Sequence, residues 1–213
     1  MLTSGKQREQ ALYDLVSGWR RGIFTAEDAR KFGYSPQLIA HHVKAGNFVR
    51  LARAVYRLSL FPSDHLDGLV GALIRVDPES AIVSHESALA LHELSEVAPT
   101  AYEFTVPRNK RYLGNRSRHP RGVKIHTTTR LDPQDVVKVG GIRATSPARS
   151  IVDAGNAGMD TKLVRSAVFD ALRKLKSSRS QLLDAAEKHA EPVVRRVIQE
   201  AVADASIAER SSG

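Results

Sequence analysis

The stretch "GYSPQLIAHHVKAG", residues 33–46, is a short helix that carries its own punctuation. Gly33 ends whatever precedes it. Ser35 is a good N-cap, and Pro36 fits the first helical turn, where its missing N–H costs nothing. Gly46 closes the helix in a left-handed conformation. Between these bounds Ile39 and Val43, four residues apart, face a core, flanked by Leu38 and His42. Gln37, Ala40, His41 and Lys44 fall on the other side.

Working outward, "QREQALYDLVSGWR" (7–20) places Ala11, Leu12, Leu15, Val16 and Trp19 on one helical face, and Gly22 ends that helix. Thr25 and Asp28 have capping-box spacing, so a second helix is expected over about 26–32, with Ala29 and Phe32 inward. On the other side, "NFVRLARAVYRL" changes period. Strands are expected at 48–51 and 55–58, with a turn near 52–54 and charge from Arg50, Arg53 and Arg57. Helix, short helix, tight turn, helix and β-hairpin make a winged helix-turn-helix. About ten residues of helix span roughly 15 Å, commensurate with a major groove about 12 Å wide. The sequence therefore assigns double-stranded DNA to this module, with Ser35, Gln37, His41, Lys44, Arg50, Arg53 and Arg57 as its contacts.

Charge supports that assignment. The chain carries 32 Lys+Arg against 23 Asp+Glu, +9 net. Residues 1–62 hold ten basic and four acidic residues, whereas 63–145 hold eleven and ten. A basic end module points to a polyanion, nucleic acid first. There are no cysteines, which removes thiol nucleophiles, disulfides and thiolate metal sites. No run approaches ~18 apolar residues, and the N-terminus lacks a signal-peptide pattern, so a cytoplasmic protein without a membrane role is expected.

"SLFPSDHLDG" reads as a linker, which divides the chain into 1–62 and 63–213. The second part alternates helical and extended patterns. A helix is expected over 64–75, a turn at Asp77–Pro78, and a helix over 85–94 with Ser84 as N-cap. Strands follow within about 102–145, with a Gly140–Gly141 hairpin turn. Ser146–Pro147 opens a helix through about 157, and three more reach residue 207. The expected fold is α+β: a winged helix-turn-helix, then a mixed α/β domain with a small sheet and a C-terminal helical segment.

These pieces together resemble the AbiEi-type antitoxins of type IV toxin–antitoxin systems. The resemblance rests on "GIFTAEDARKFGYSPQLIAHHVKAGNFVRLARAVYRL", "VSHESALALHEL", "YEFTVP" and "GIRATSPARSIVDAG". It implies an N-terminal module that binds the promoter of its own operon, and a C-terminal domain that counteracts a nucleotidyltransferase-like toxin. One position departs from the pattern: family members often carry glycine before "VYR", where this chain has Ala54. The alternative is a winged-helix regulator whose C-terminal domain senses a ligand or oligomerises.

No enzymatic role, cofactor or metal is expected. His85, Glu86 and His92 have the spacing HE-x5-H rather than HExxH, and no third ligand is apparent. Asp153 lies four residues after Arg149, the spacing of a helical ion pair, and Asp170 has basic neighbours too. Ser84, Ser146 and Ser150 lack a nucleophile elbow. Residues 104–131 contain no acid. There Arg108, Lys110, Arg111, Arg116, Arg118 and Arg121 form either a solvated basic loop or a second contact to a polyanion or partner.

Overall fold

The computed structural model describes residues 5–95, 99–110, 122–129 and 131–211. The chain forms two compact units, Met1–Glu79 and Ser80–Gly213.

In the first unit, α1 (Gly5–Val16) is followed by a 3-10 turn (Gly18–Arg20), β1 (Ile23–Thr25), α2 (Ala26–Lys31), α3 (Pro36–Lys44), β2 (Phe48–Ala52) and β3 (Val55–Leu58). The expected second and third helices form with the expected caps. Thr25 and Asp28 make a full capping box, with Asp in the role usually taken by Glu. Ser35 Oγ accepts the Leu38 N–H, and Gly46 has φ +79°. The sequence reading missed β1. Its three residues pair antiparallel with β3, giving a sheet of order β1-β3-β2. The core consists of Leu12, Val16, Phe24, Ala29, Tyr34, Ile39 and Phe48. His42 stacks on Phe48 at 4.7 Å between ring centroids, which seats the inner face of α3.

The first unit ends later than the expected boundary at residue 62. α4 (Asp67–Val76) packs on β1 and β2 and belongs to this unit. Two ion pairs fasten the connecting segment, Arg21 to Asp64 and Arg57 to Asp67. Both pairs join residues far apart in sequence, so hydrophobic periodicity gave no sign of them. Their aspartates also change the charge argument. Met1–Glu79 holds eleven basic and eight acidic residues, so the module is basic by +3 rather than +6.

The β2–β3 connection is the two-residue turn Arg53–Ala54, with a bulge between Arg50 and Ala52. Ala54 has φ +60°, the left-handed region where a Cβ is penalised. This is the position where the family resemblance expects glycine, and the backbone keeps the conformation that glycine prefers.

The second unit contains β4 (Ile82–Val83), α5 (His85–Leu91), β5 (Tyr102–Pro107), β6 (Val123–Thr128), β7 (Val136–Val139) and β8 (Ile142–Thr145). Four helices follow: α6 (Pro147–Asn156), α7 (Thr161–Arg173), α8 (Arg179–His189) and α9 (Pro192–Ser211). The sheet order is β6-β5-β4-β8-β7, with β5–β6 and β4–β8 parallel. Gly140 and Gly141 both have positive φ, and the hairpin they form joins β7 to β8 as expected. Leu89, Ile151, Val168, Leu182 and Ile198 knit the helices into one core. The α+β reading holds for the whole chain.

Trp19 is the sole tryptophan, so its fluorescence reports unfolding of the first unit. Ala54→Gly should raise stability in urea titrations by about 1 kcal/mol, because the left-handed penalty disappears. Arg57→Ala should lower it by about 3 kcal/mol, because Asp67 is left buried without its cation. A fall in the urea midpoint for Ala54→Gly would contradict the turn geometry.

Candidate functional sites

The first candidate is the open face of α3 and its neighbouring wing. Gln37, His41 and Lys44 recur at i, i+4 and i+7, and all three are exposed. They share a stripe while Ile39 is buried below them. Ser35 is also exposed, but its hydroxyl oxygen is engaged by the Leu38 amide at 3.1 Å, so its main work is to fix the start of the helix. α3 packs against β2, whose Arg50 is exposed, and Arg53 is exposed at the wing turn. Arg57 does not join them. Its side chain is buried and paired with Asp67, which corrects the expectation that it contacts DNA. Tertiary packing explains the difference: both faces of β3 are covered, with Val55, Arg57 and Leu58 all buried. Arg30, exposed at the end of α2, is a further cation that the sequence reading did not weigh.

The second expected surface is only partly described. Arg108 is exposed just after β5, and Lys110 Nζ bonds Ser80 Oγ. Arg111, Arg116, Arg118 and Arg121 lie outside the described residues. Lys124, counted in the same basic stretch, is committed to Glu103 at 3.0 Å.

Glu103 anchors a polar network that the sequence reading did not foresee. Its side chain is buried on β5. One oxygen accepts the Glu86 N–H at 3.0 Å and so caps α5 from a neighbouring strand. The other meets His126 Nε2 at 3.1 Å and Lys124. Burial acts to raise the Glu103 pKa, but hydrogen bonds from His126 and Lys124 outweigh it and bring it to about 2. Ser84 occupies the N-cap position of α5 without capping it. Its hydroxyl lies 2.8 Å from His85 Nδ1 and accepts the Thr105 hydroxyl at 2.8 Å. His85 is buried, has φ +54°, and stacks on His126 with centroids 3.4 Å apart. Burial, then repulsion from His126, lowers its pKa from 6.5 to about 3. His92 serves elsewhere, with Nε2 2.7 Å from the Thr145 carbonyl oxygen. His85 and His92 therefore have separate structural partners, and no acid–base pair is poised between them.

A second knot involves α6. Arg149 donates to Asp153 at 2.8 Å, the anticipated i,i+4 pair, and to Asp135 at 3.1 Å. Asp170 likewise pairs with Arg173 and Lys174. Only a tertiary contact could reveal the Asp135 link, because it spans fourteen residues.

His85 and Glu103 each set an acid dependence of the same sign, and burial lowers the His92 pKa in the same direction as that of His85. The unfolded chain protonates at His85 below about 6.5, whereas the folded chain resists until about 3. The contribution of His85 to the stability of the second unit is therefore full above 6.5 and falls as pH drops toward 3. Glu103 adds a loss between its ordinary 4.5 and about 2. Each group contributes a slope of up to about 1.4 kcal/mol per pH unit inside its window. Calorimetry between pH 7 and 4 should show this fall. His85→Gln should flatten the part between 6.5 and 4.5, and an unchanged slope would remove His85 as its source.

No curated protein matches the chain. Residues 11–59, running from α1 through the wing, match the family described as "Transcriptional regulator, AbiEi antitoxin". That span covers the capped α3 and its wing, so in this module the chain is similar to the AbiEi antitoxin regulators.

Proposed function

We propose that the protein is an antitoxin that binds the operator of its own toxin–antitoxin operon through the first unit. In this reading the second unit counteracts a nucleotidyltransferase-like toxin. The observation that carries the DNA reading is the exposed stripe Gln37–His41–Lys44 beside exposed Arg50 and Arg53. Gln37 reads adenine bidentately, Lys44 donates to guanine, and the wing arginines take phosphates. A cytoplasmic location and a type IV mode of neutralisation go with this reading. No helix among the described residues is long and apolar enough to cross a membrane.

Binding to duplex DNA from upstream of the gene should weaken with salt, with a log–log slope near −0.9 per neutralised phosphate. Replacing Arg50 and Arg53 together by Ala should shallow that slope by about 2 for every sequence tested. Gln37→Ala or Lys44→Ala should instead cost about 1–3 kcal/mol at particular base pairs and spare non-specific binding. Fluorescence anisotropy over a salt series measures both. Unchanged slope and unchanged base preference would place the interface elsewhere.

The division of labour has its own test. A fragment of residues 80–213 should lose operator binding and retain protection when co-expressed with the toxin gene. Neutralising Arg108, Lys110, Arg111, Arg116 and Arg118 in the full chain then separates the roles of the basic stretch. Lost protection assigns it to the toxin side, and weakened operator binding assigns it to DNA flanks. If neither changes, it is a solvated surface.

A further inference from the structure

Within the first unit, α1, the turn before α3 and the ends of β2 and β3 enclose a cleft of about 660 Å³. Its size and lining are those of a small-molecule site, with apolar and aromatic walls and a few polar groups. Leu12, Tyr34, Phe48 and Leu58 are buried wall residues. Tyr13 and Leu60 line the same cleft yet are 42% and 65% exposed, so the apolar surface continues to its mouth.

Two independent features say what the cleft would take. The first is Tyr34, which is 2% exposed and held on several sides. The Arg8 guanidinium lies 5.4 Å from its ring centroid and donates to the Gly33 carbonyl oxygen, while the rings of His42 and Phe48 approach at 5.5 and 5.6 Å. A tyrosine so deeply buried ordinarily gives its hydroxyl a partner. This hydroxyl makes no hydrogen bond among the described residues, and Tyr34 lines the cleft. Burial, then the Glu9 charge, push its pKa above the ordinary value, so it remains a proton donor. The second feature is the pair Lys6 and Glu9, three residues apart on α1 and both lining the cleft. Among the described residues neither has an ion-pair partner, and they are not paired with each other. One cation, one anion and one free hydroxyl donor therefore stand beside an aromatic wall.

We propose that this cleft binds a small aromatic zwitterion of the amino-acid class. The aromatic ring lies against Phe48 and Leu58, the carboxylate accepts from Lys6 and the Tyr34 hydroxyl, and the ammonium meets Glu9. An aromatic acid without an ammonium would set its carboxylate beside an uncompensated Glu9. An aromatic amine without a carboxylate would leave Lys6 and the Tyr34 donor unmatched. His42 also lines the cleft and belongs to α3. The bound molecule thus touches the inner side of the helix whose outer side carries Gln37, His41 and Lys44. The assignment does not depend on DNA binding, because it rests on the lining of the cleft alone.

The test is calorimetric titration of the full chain with L-phenylalanine, without DNA. One equivalent should bind. Benzoate, which lacks the ammonium, and phenethylamine, which lacks the carboxylate, should each bind about tenfold more weakly or worse. Tyr34→Phe keeps the ring and removes only a hydroxyl with no protein partner, and it should weaken L-phenylalanine binding about threefold to tenfold. Lys6→Gln should weaken it about tenfold. Lys138→Gln, an exposed lysine of the second unit, should leave it unchanged. No binding, equal affinity for all three molecules, or binding unmoved by both Tyr34→Phe and Lys6→Gln overturns the proposal. If a variant fails to fold, methyl NMR of the unmodified chain decides. Shifts induced by L-phenylalanine at Leu12 and Leu58 support the site, and shifts confined to the second unit, or none, overturn it.

Discussion

α3 must bury one face and leave the other bare, and the first unit is organised around that constraint. Nine residues are too few to hold a helix in water. Its order comes from outside: the Ser35 cap at one end, the left-handed Gly46 at the other, and Ile39 and His42 pressed into the Tyr34–Phe48 aromatic cluster between them. The capping box of α2 and the Arg20–Asp28 pair at 3.1 Å hold the preceding turn. Only then do Gln37, His41 and Lys44 stand at fixed spacing on the free side.

The second unit solves a different problem. It buries several charged groups, and each is neutralised by contacts that reach across elements. Glu103 on β5 meets the start of α5 and two side chains of β6. Arg149 on α6 meets the turn before β7. Removing one member strands the others in a poorly solvating interior, which costs more than the pair contributes when intact. Such a domain tolerates little change at these positions even where no chemistry occurs.

Legibility in the sequence tracked the range of the interaction. Caps, tight turns and i,i+4 pairs are local, so Ser35, Thr25–Asp28, Gly140–Gly141 and Arg149–Asp153 were readable one by one. β1 and β4 were missed because three and two residues carry no periodicity, and they become strands only by pairing. Arg57 was misassigned because its partner Asp67 lies ten residues away, at the start of α4. The Glu103 grouping was invisible because sheet order decides which side chains meet.

The capping of α5 by a carboxylate from β5 bears on the order in which the chain acquires structure. α5 has seven residues and no side-chain cap of its own, so it has little reason to persist before β4 and β5 pair. β4 must also find β8, with Val83 opposite Ala144, across sixty intervening positions in the numbering. Closing loops of that size precedes any reward from the contacts. The first unit closes shorter loops, since its longest strand pairing, Ile23 with Arg57, joins positions thirty-four apart. On a ribosome it would emerge first, so a finished first unit would exist while the second half was still searching for its sheet.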